Sequence, residues 1–163
     1  EIALVPMLDP EAQAAAAAAG IGAEVTLSVG GKLDNTFSAP VEVSGKVAGL
    51  SKGLEVWVEL RGYSDMGPTA LIEVGNVRIV LQARRSSAVN QPILYTHLGL
   101  DIADAKMVVL KTASNFQFFD RWTRRMIRVD SPGMTQSNLK DFKWRFLPRP
   151  IHPLDDLPEW SPR

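Results

Sequence analysis

The stretch TALIEVGNVRIVL, residues 69–81, decides the fold. Two apolar runs, Thr69–Val74 and Val77–Leu81, flank Gly75-Asn76. A two-residue Gly-Asn loop between such runs specifies a β-hairpin, because the turn that matches strand twist needs positive φ. Upstream, Leu54–Leu60 alternates through Leu54, Val56, Val58 and Leu60. Val41–Val47 carries Val41, Val43 and Val47 on one side, and Glu24–Val29 carries Val25, Leu27 and Val29 on one face. Gly30-Gly31 breaks the Glu24–Val29 run, and Leu50–Gly53 and Asp65–Pro68 read as turns. Sequential strands with short turns predict a largely antiparallel sheet or partial barrel.

Ahead of these strands stands a helix. Asp9 is a good N-cap, Pro10 suits the first helical position and Glu11 complements the helix dipole. Alanines run to Ala19 and Gly20 supplies the stop. Side chains this small let a neighbouring backbone approach closely, and ten residues need packing to stay helical. Downstream of the hairpin the character changes. Asn90–Leu98 reads as a short helix and Met107–Leu110 as a buried strand. Ser114 is placed to cap a helix over Asn115–Arg125, with Phe116, Phe119 and Trp122 on one face. Ile127–Asp130 reads as another strand, stopped by Pro132-Gly133. The predicted class is therefore α+β: an Ala-rich N-terminal helix, a β-sheet, a C-terminal strand–helix–strand unit and a proline-rich tail. Residues 1–147 form one expected domain. Residues 148–163, with Pro148, Pro150, Pro153, Pro158 and Pro162, form an extended tail, since this proline density forbids helix and central strand.

The 163 residues are 45% hydrophobic and 22% charged, a balance that builds a core and excludes general disorder. No apolar run reaches the ~20 residues of a membrane helix. There is no cysteine, which excludes disulfides and thiolate chemistry and fits a cytoplasmic protein. Net charge is zero, with 7 Lys+Arg against 12 Asp+Glu in residues 1–105 and 11 against 6 in residues 106–163. The favoured reading is attraction between the two halves rather than a basic binding face. Arg121, Arg124, Arg125 and Arg128 are spaced as the solvent face of one helix, and no nucleic-acid motif accompanies them.

Only two histidines occur, His97 and His152, with no second ligand at helical spacing. A complete zinc site within this chain is not expected. His97, on the apolar face of a short helix, reads as a hydrogen-bonded core histidine. Gly30-Gly31-Lys32 fails as a phosphate-binding loop, because Thr26 stands where that motif needs glycine and Leu33 where it needs Ser or Thr. What remains is a tight turn with a solvated lysine, or a backbone that approaches a ligand whose anionic group Lys32 binds. Lys111-Thr112-Ala113-Ser114-Asn115-Phe116 delivers a lysine to the end of a buried strand, just before a helix start whose free N–H groups can hold anions. A capping Ser114 and a snorkelling Lys111 explain the same residues without a ligand.

Several segments, in order, resemble the carboxy-terminal domain of the microcystinase C (MlrC) family. They are Asp9-Pro10-Glu11-Ala12 with Ala19-Gly20-Ile21-Gly22-Ala23 and Leu27-Ser28-Val29-Gly30-Gly31-Lys32; Val108-Val109-Leu110-Lys111-Thr112 with Asn115-Phe116; Val129-Asp130-Ser131-Pro132-Gly133; and Arg149-Pro150-Ile151-His152-Pro153-Leu154-Asp155. The resemblance implies a two-domain hydrolase with zinc-dependent peptidase activity. It places the metal ligands in a larger amino-terminal domain that would precede Glu1 and be this chain's partner. This chain would then bind no metal, contribute no catalytic residue and shape the cleft for a peptide-like or small amide substrate. The candidate substrate-binding residues are Lys111, Thr112, Asn115, Lys32, Gly31, Asp130 and Arg149. The family pattern often has serine, histidine and arginine where this chain has Thr112, Asn115 and Gln117, so the resemblance implies a hydrolase-associated domain more firmly than any given peptide substrate. The competing expectation is a non-catalytic binding module or homo-oligomer, with neither nucleic acid nor membrane as partner.

Overall fold

In the computed structural model, residues 1–33, 36–58, 62–86, 90–112, 115–131 and 138–157 are described. The central hairpin forms as read: β6 (Thr69–Val74) and β7 (Val77–Gln82) pair antiparallel from Thr69 opposite Gln82 to Val74 opposite Val77. Gly75 takes φ +53 in the turn, the left-handed conformation that glycine reaches without steric cost. Around this hairpin lies a six-stranded sheet of order β2-β3-β6-β7-β1-β8. Its other strands are β1 (Ile2–Leu8), β2 (Glu24–Val29), β3 (Val41–Ser51) and β8 (Ala105–Val108). A separate two-stranded sheet pairs β4 (Glu55–Val58) with β5 (Gly62–Asp65). With helices α1 (Pro10–Ala19) and α2 (Ile93–Thr96), the class is α+β with a mostly antiparallel sheet.

The sheet has two covered faces. Alternation sends Ala70, Ile72, Ile79 and Leu81 to the face packed by Ala12 and Ala16 of α1. Leu4, Leu71 and Val80 point the other way, against Leu94, Tyr95, Ile102 and Phe119. Ala12 and Ala16, one helical turn apart, are 2% and 0% exposed, so the alanine run places the helix backbone close against the strands.

Strand β1 was not read from the sequence. It lies between β7 and β8 and runs parallel to both. Parallel strands buried on both faces are continuously apolar, as Ile2–Leu8 is. Pro6 obscured the signal, since proline cannot donate to a ladder. Leu4 O accepts from Val109 N at 2.9 Å, so the β8 side is where a residue two further along would donate. The ladder to β8 ends at Leu4, and Pro6 therefore faces the side that β8 has already left.

Several local expectations are corrected. The helix expected over Asn90–Leu98 is the single turn Ile93–Thr96. The buried strand expected at Met107–Leu110 is instead Ala105–Val108, an edge strand with no buried residue and with Met107 53% exposed. The helix expected over Asn115–Arg125 is a 3-10 segment, Asn115–Phe119, followed by turns. Ile127–Asp130 forms no strand, so the strand–helix–strand unit reduces to β8 and the 3-10 segment. The physical reason is packing: Phe119 sits 6.3 Å edge-on to Tyr95, and one buried aromatic fixes the segment without a full amphipathic helix. The expected cap Ser114 and the stop Pro132-Gly133 lie outside the described residues. Two compact units result, Glu1–Met126 and Ile127–Arg163, and the expected 147/148 boundary falls inside the second.

Candidate functional site

Because β1, β7 and β8 are parallel, their carboxyl ends share one end of the sheet. Asp9 follows β1, Gln82 ends β7 and Lys111 follows β8. Carboxyl ends of parallel strands are the usual place for ligand sites in α/β arrangements.

Asp9 is 2% exposed. Its Oδ1 accepts from Ala12 N at 3.0 Å, capping α1, and from Lys32 Nζ at 3.1 Å. Its Oδ2 accepts from Gly30 N at 2.9 Å. Burial opposes the charge on Asp9, but donation from Ala12, Gly30 and Lys32 outweighs it and holds the carboxyl below its usual range. Lys32 also lies 3.5 Å from Glu11. Gly31 has φ +63, and a Cβ there would lie 2.2 Å from the carbonyl carbon of Ala39. The sequence-predicted pair Gly31 and Lys32 is thus brought together with Asp9, and its own chain makes the close approach that demands glycine.

The second group follows β8. Lys111 is exposed and Thr112 half-buried. Thr112 Oγ1 accepts from Asn115 N at 3.1 Å, so the first amide of the 3-10 segment is already engaged. Asp130 and Arg149 belong to the second unit. Asp130 is exposed, while Arg149 pairs with Asp155 through both carboxylate oxygens. That pairing, with donation from Ile151 N, holds the Asp155 carboxyl down to about 2.

One polar group escaped the sequence reading. Thr69 and Gln82, opposite each other in the hairpin, are 0% and 2% exposed. Thr69 Oγ1 lies 3.0 Å from His97 Nε2, and His97 Nδ1 lies 2.8 Å from Ile93 O. A carbonyl only accepts, so Nδ1 carries the proton; the neutral ring then accepts from the Thr69 hydroxyl at Nε2. Gln82 Nε2 is buried without a partner among the described residues. The available signal was a polar residue closing the apolar run Val77–Leu81.

No group of three or more His, Cys, Asp or Glu that could hold a metal occurs among the described residues. These residues therefore do not fit a zinc site. Among the described residues, no helix is long and apolar enough to cross a membrane.

The chain is 28% identical over 154 residues to Microcystinase C from a Sphingomonas species, covering 93% of this chain and 29% of that protein. A crystal structure of a "Putative metallopeptidase" from Mesorhizobium sp. BNC1 superposes with a TM-score of 0.74 at 29% identity, covering 98% of this chain and 32% of that one. The chain thus spans about a third of the length of these relatives. A family model described as MlrC C-terminus matches residues 1–145, from the first parallel strand through the Lys111 turn and beyond. This chain belongs to the MlrC C-terminus family.

Proposed function

We propose that this chain is the substrate-shaping domain of a larger zinc-dependent amide hydrolase acting on peptide-like substrates. The observation that carries the reading is its likeness to Microcystinase C and to the Mesorhizobium protein, each about three times its length. In this reading the zinc ligands lie in the part of the protein this chain does not span. Lys111, at the carboxyl end of β8, anchors a substrate carboxylate or carbonyl. Thr112 and Asn115 fix the turn that presents it. Gly31 and Lys32 hold the neighbouring loop in place through Asp9. Asp130 and Arg149 act in the second unit, which we treat as an extension of the domain.

The test is Lys111→Ala in the longer protein. A charge-assisted contact is worth about 1.5–3 kcal/mol, so kcat/KM should fall by about tenfold or more. A uniform binding role places the loss in KM. Unchanged catalytic efficiency in a folded variant removes Lys111 from the site.

A further inference from the structure

We infer that the segment Leu139–Phe146 of the second unit is a docking strap for the part of the protein that lies outside this chain. The inference rests on the proposed reading of the chain as one domain of a longer hydrolase. The second unit begins at Ile127 and contains no strand among its described residues; its one regular element is the 3-10 turn Leu139–Asp141. A unit of fewer than about 40 residues rarely builds a core of its own without disulfides, metal or a partner surface, and the chain has no cysteine.

The apolar side chains of this unit face solvent instead. Phe146 is 96% exposed, Trp144 45%, Leu139 42% and Phe142 37%. Scattered single exposures are ordinary, but four large residues within eight positions form a patch. The patch is also prearranged. Trp144 Nε1 donates to Leu139 O at 2.8 Å, Trp144 N donates to Phe142 O at 3.0 Å, and the Phe142 and Trp144 rings lie 5.4 Å apart. The indole's polar atom is satisfied within the segment, so its ring is presented at little further entropic cost. Aromatic anchors of this kind dominate binding energy at interfaces.

Charge narrows the partner. Lys143 and Arg145 lie between the aromatics and make no ion pair among the described residues. The complementary surface is therefore an apolar patch rimmed by carboxylates. Length identifies its source: about two thirds of each relative's own chain lies outside the part this one matches, on one continuous polypeptide. The favoured occupant is that covalently linked portion rather than a second copy of this chain.

Hydroxyl-radical footprinting tests this on two proteins, the 163-residue chain and the longer polypeptide. Exposed Phe146 and Trp144 should label readily in the chain alone. In the longer polypeptide, Phe146 labelling should fall to the level of Phe119, which is 3% exposed and serves as the internal standard. Trp57, 64% exposed in the first unit, reports whether protection is merely general. Equal Phe146 labelling in both proteins overturns the proposal. Phe146 protection in the chain alone that appears with dimerisation by light scattering also overturns it, assigning the patch to a second copy. Phe146→Asp should leave the chain's own melting unchanged and abolish protection of Trp144 in the longer protein. An amide-hydrolase assay on the same longer protein is read separately: protection without hydrolysis removes the functional reading and keeps the strap, and hydrolysis without protection does the reverse.

Discussion

The Asp9 carboxylate and the Lys32 ammonium lie 3.1 Å apart although three strands separate β1 from β2 in the sheet order. By the pairing pattern β2 runs antiparallel to β1, so in a flat sheet Asp9 and Lys32 would lie at diagonal corners, with roughly 19 Å across the four strand spacings alone. Twist of roughly 80–100° over four steps turns these corners but does not close the gap across the strands, so the sheet must coil as well. Asp9 closes that curl by accepting simultaneously from α1, from Gly30 and from Lys32. The partial barrel expected from sequential strands is thus a curled open sheet with α1 packed against one face.

Removing Asp9 should be costly. Asp9→Ala deletes a helix cap, orphans Gly30 N and leaves Lys32 half-buried without its nearest anion. The expected loss is about 2–4 kcal/mol. Lys32→Met should cost about 1 kcal/mol, because two backbone amides still hold the carboxylate. Urea unfolding checks both through the midpoint at unchanged slope. Equal losses in the two variants would show that the amides contribute nothing.

The same carboxylate sets an acid limit. The folded-state pKa of Asp9 is lowered, so its stabilisation is fully present above the unfolded value near 3.9 and is lost as pH falls through the folded value. Asp155, held to about 2, acts in the same direction. Stability from these groups should be flat above about pH 5 and decline below pH 4. The stability difference between wild type and Asp9→Asn should shrink over that decline. A difference independent of pH down to 2 would contradict the assignment.

Two glycines separate backbone strain from crowding. Gly31→Ala meets both, with φ +63 and the Ala39 carbonyl carbon 2.2 Å from the new Cβ. Gly75→Ala meets only strain, with φ +53 and no atom within 4 Å. Gly75→Ala should cost about 1–2 kcal/mol and Gly31→Ala clearly more. Thermal melting of the two variants ranks them, and the reverse order would refute the close approach at Gly31.

Gln82 offers a sign test. Its Nε2 is buried and unpartnered among the described residues, so Gln82→Met should be neutral or stabilising by up to about 1 kcal/mol. Destabilisation beyond 1 kcal/mol would reveal a bound partner, such as an ordered water.

The His97 tautomer is a further check. Neutral His97 should carry its proton on Nδ1, facing Ile93 O, and imidazole nitrogen shifts in NMR read this directly. Thr69→Val removes the hydroxyl that serves Nε2 and should cost about 1–2 kcal/mol. Protonation on Nε2 alone would invert the proposed donor and acceptor roles.

The legible parts of this protein are those whose signal is local. Asp9-Pro10 and Gly20 bracket α1, Gly75-Asn76 sets the central hairpin, and alternation marks β2 and β3. Lys111 was readable as a strand-end lysine, and His97 as a histidine satisfied by hydrogen bonds. Pro6 hid β1 because sequence alone cannot show which edge of a strand goes unpaired. The Asn115–Arg125 pattern overstated a helix because its three aromatics need only one buried anchor, Phe119.

By itself, the sequence determined α1, the central hairpin, β2 and β3, the α+β class and the resemblance to the MlrC family, because turns, caps and alternation are written within a few residues. Tertiary structure alone decided that β1 inserts in parallel between β7 and β8, and that Asp9 clasps the far corner of the sheet. It also decided that Thr69 lies opposite Gln82 and within hydrogen-bond reach of His97. These contacts join residues far apart in sequence, such as Asp9 with Lys32, Thr69 with His97, Ala3 with Val77 and Ile2 with Ala105. Their existence depends on sheet order and accumulated twist, which no short window of sequence contains.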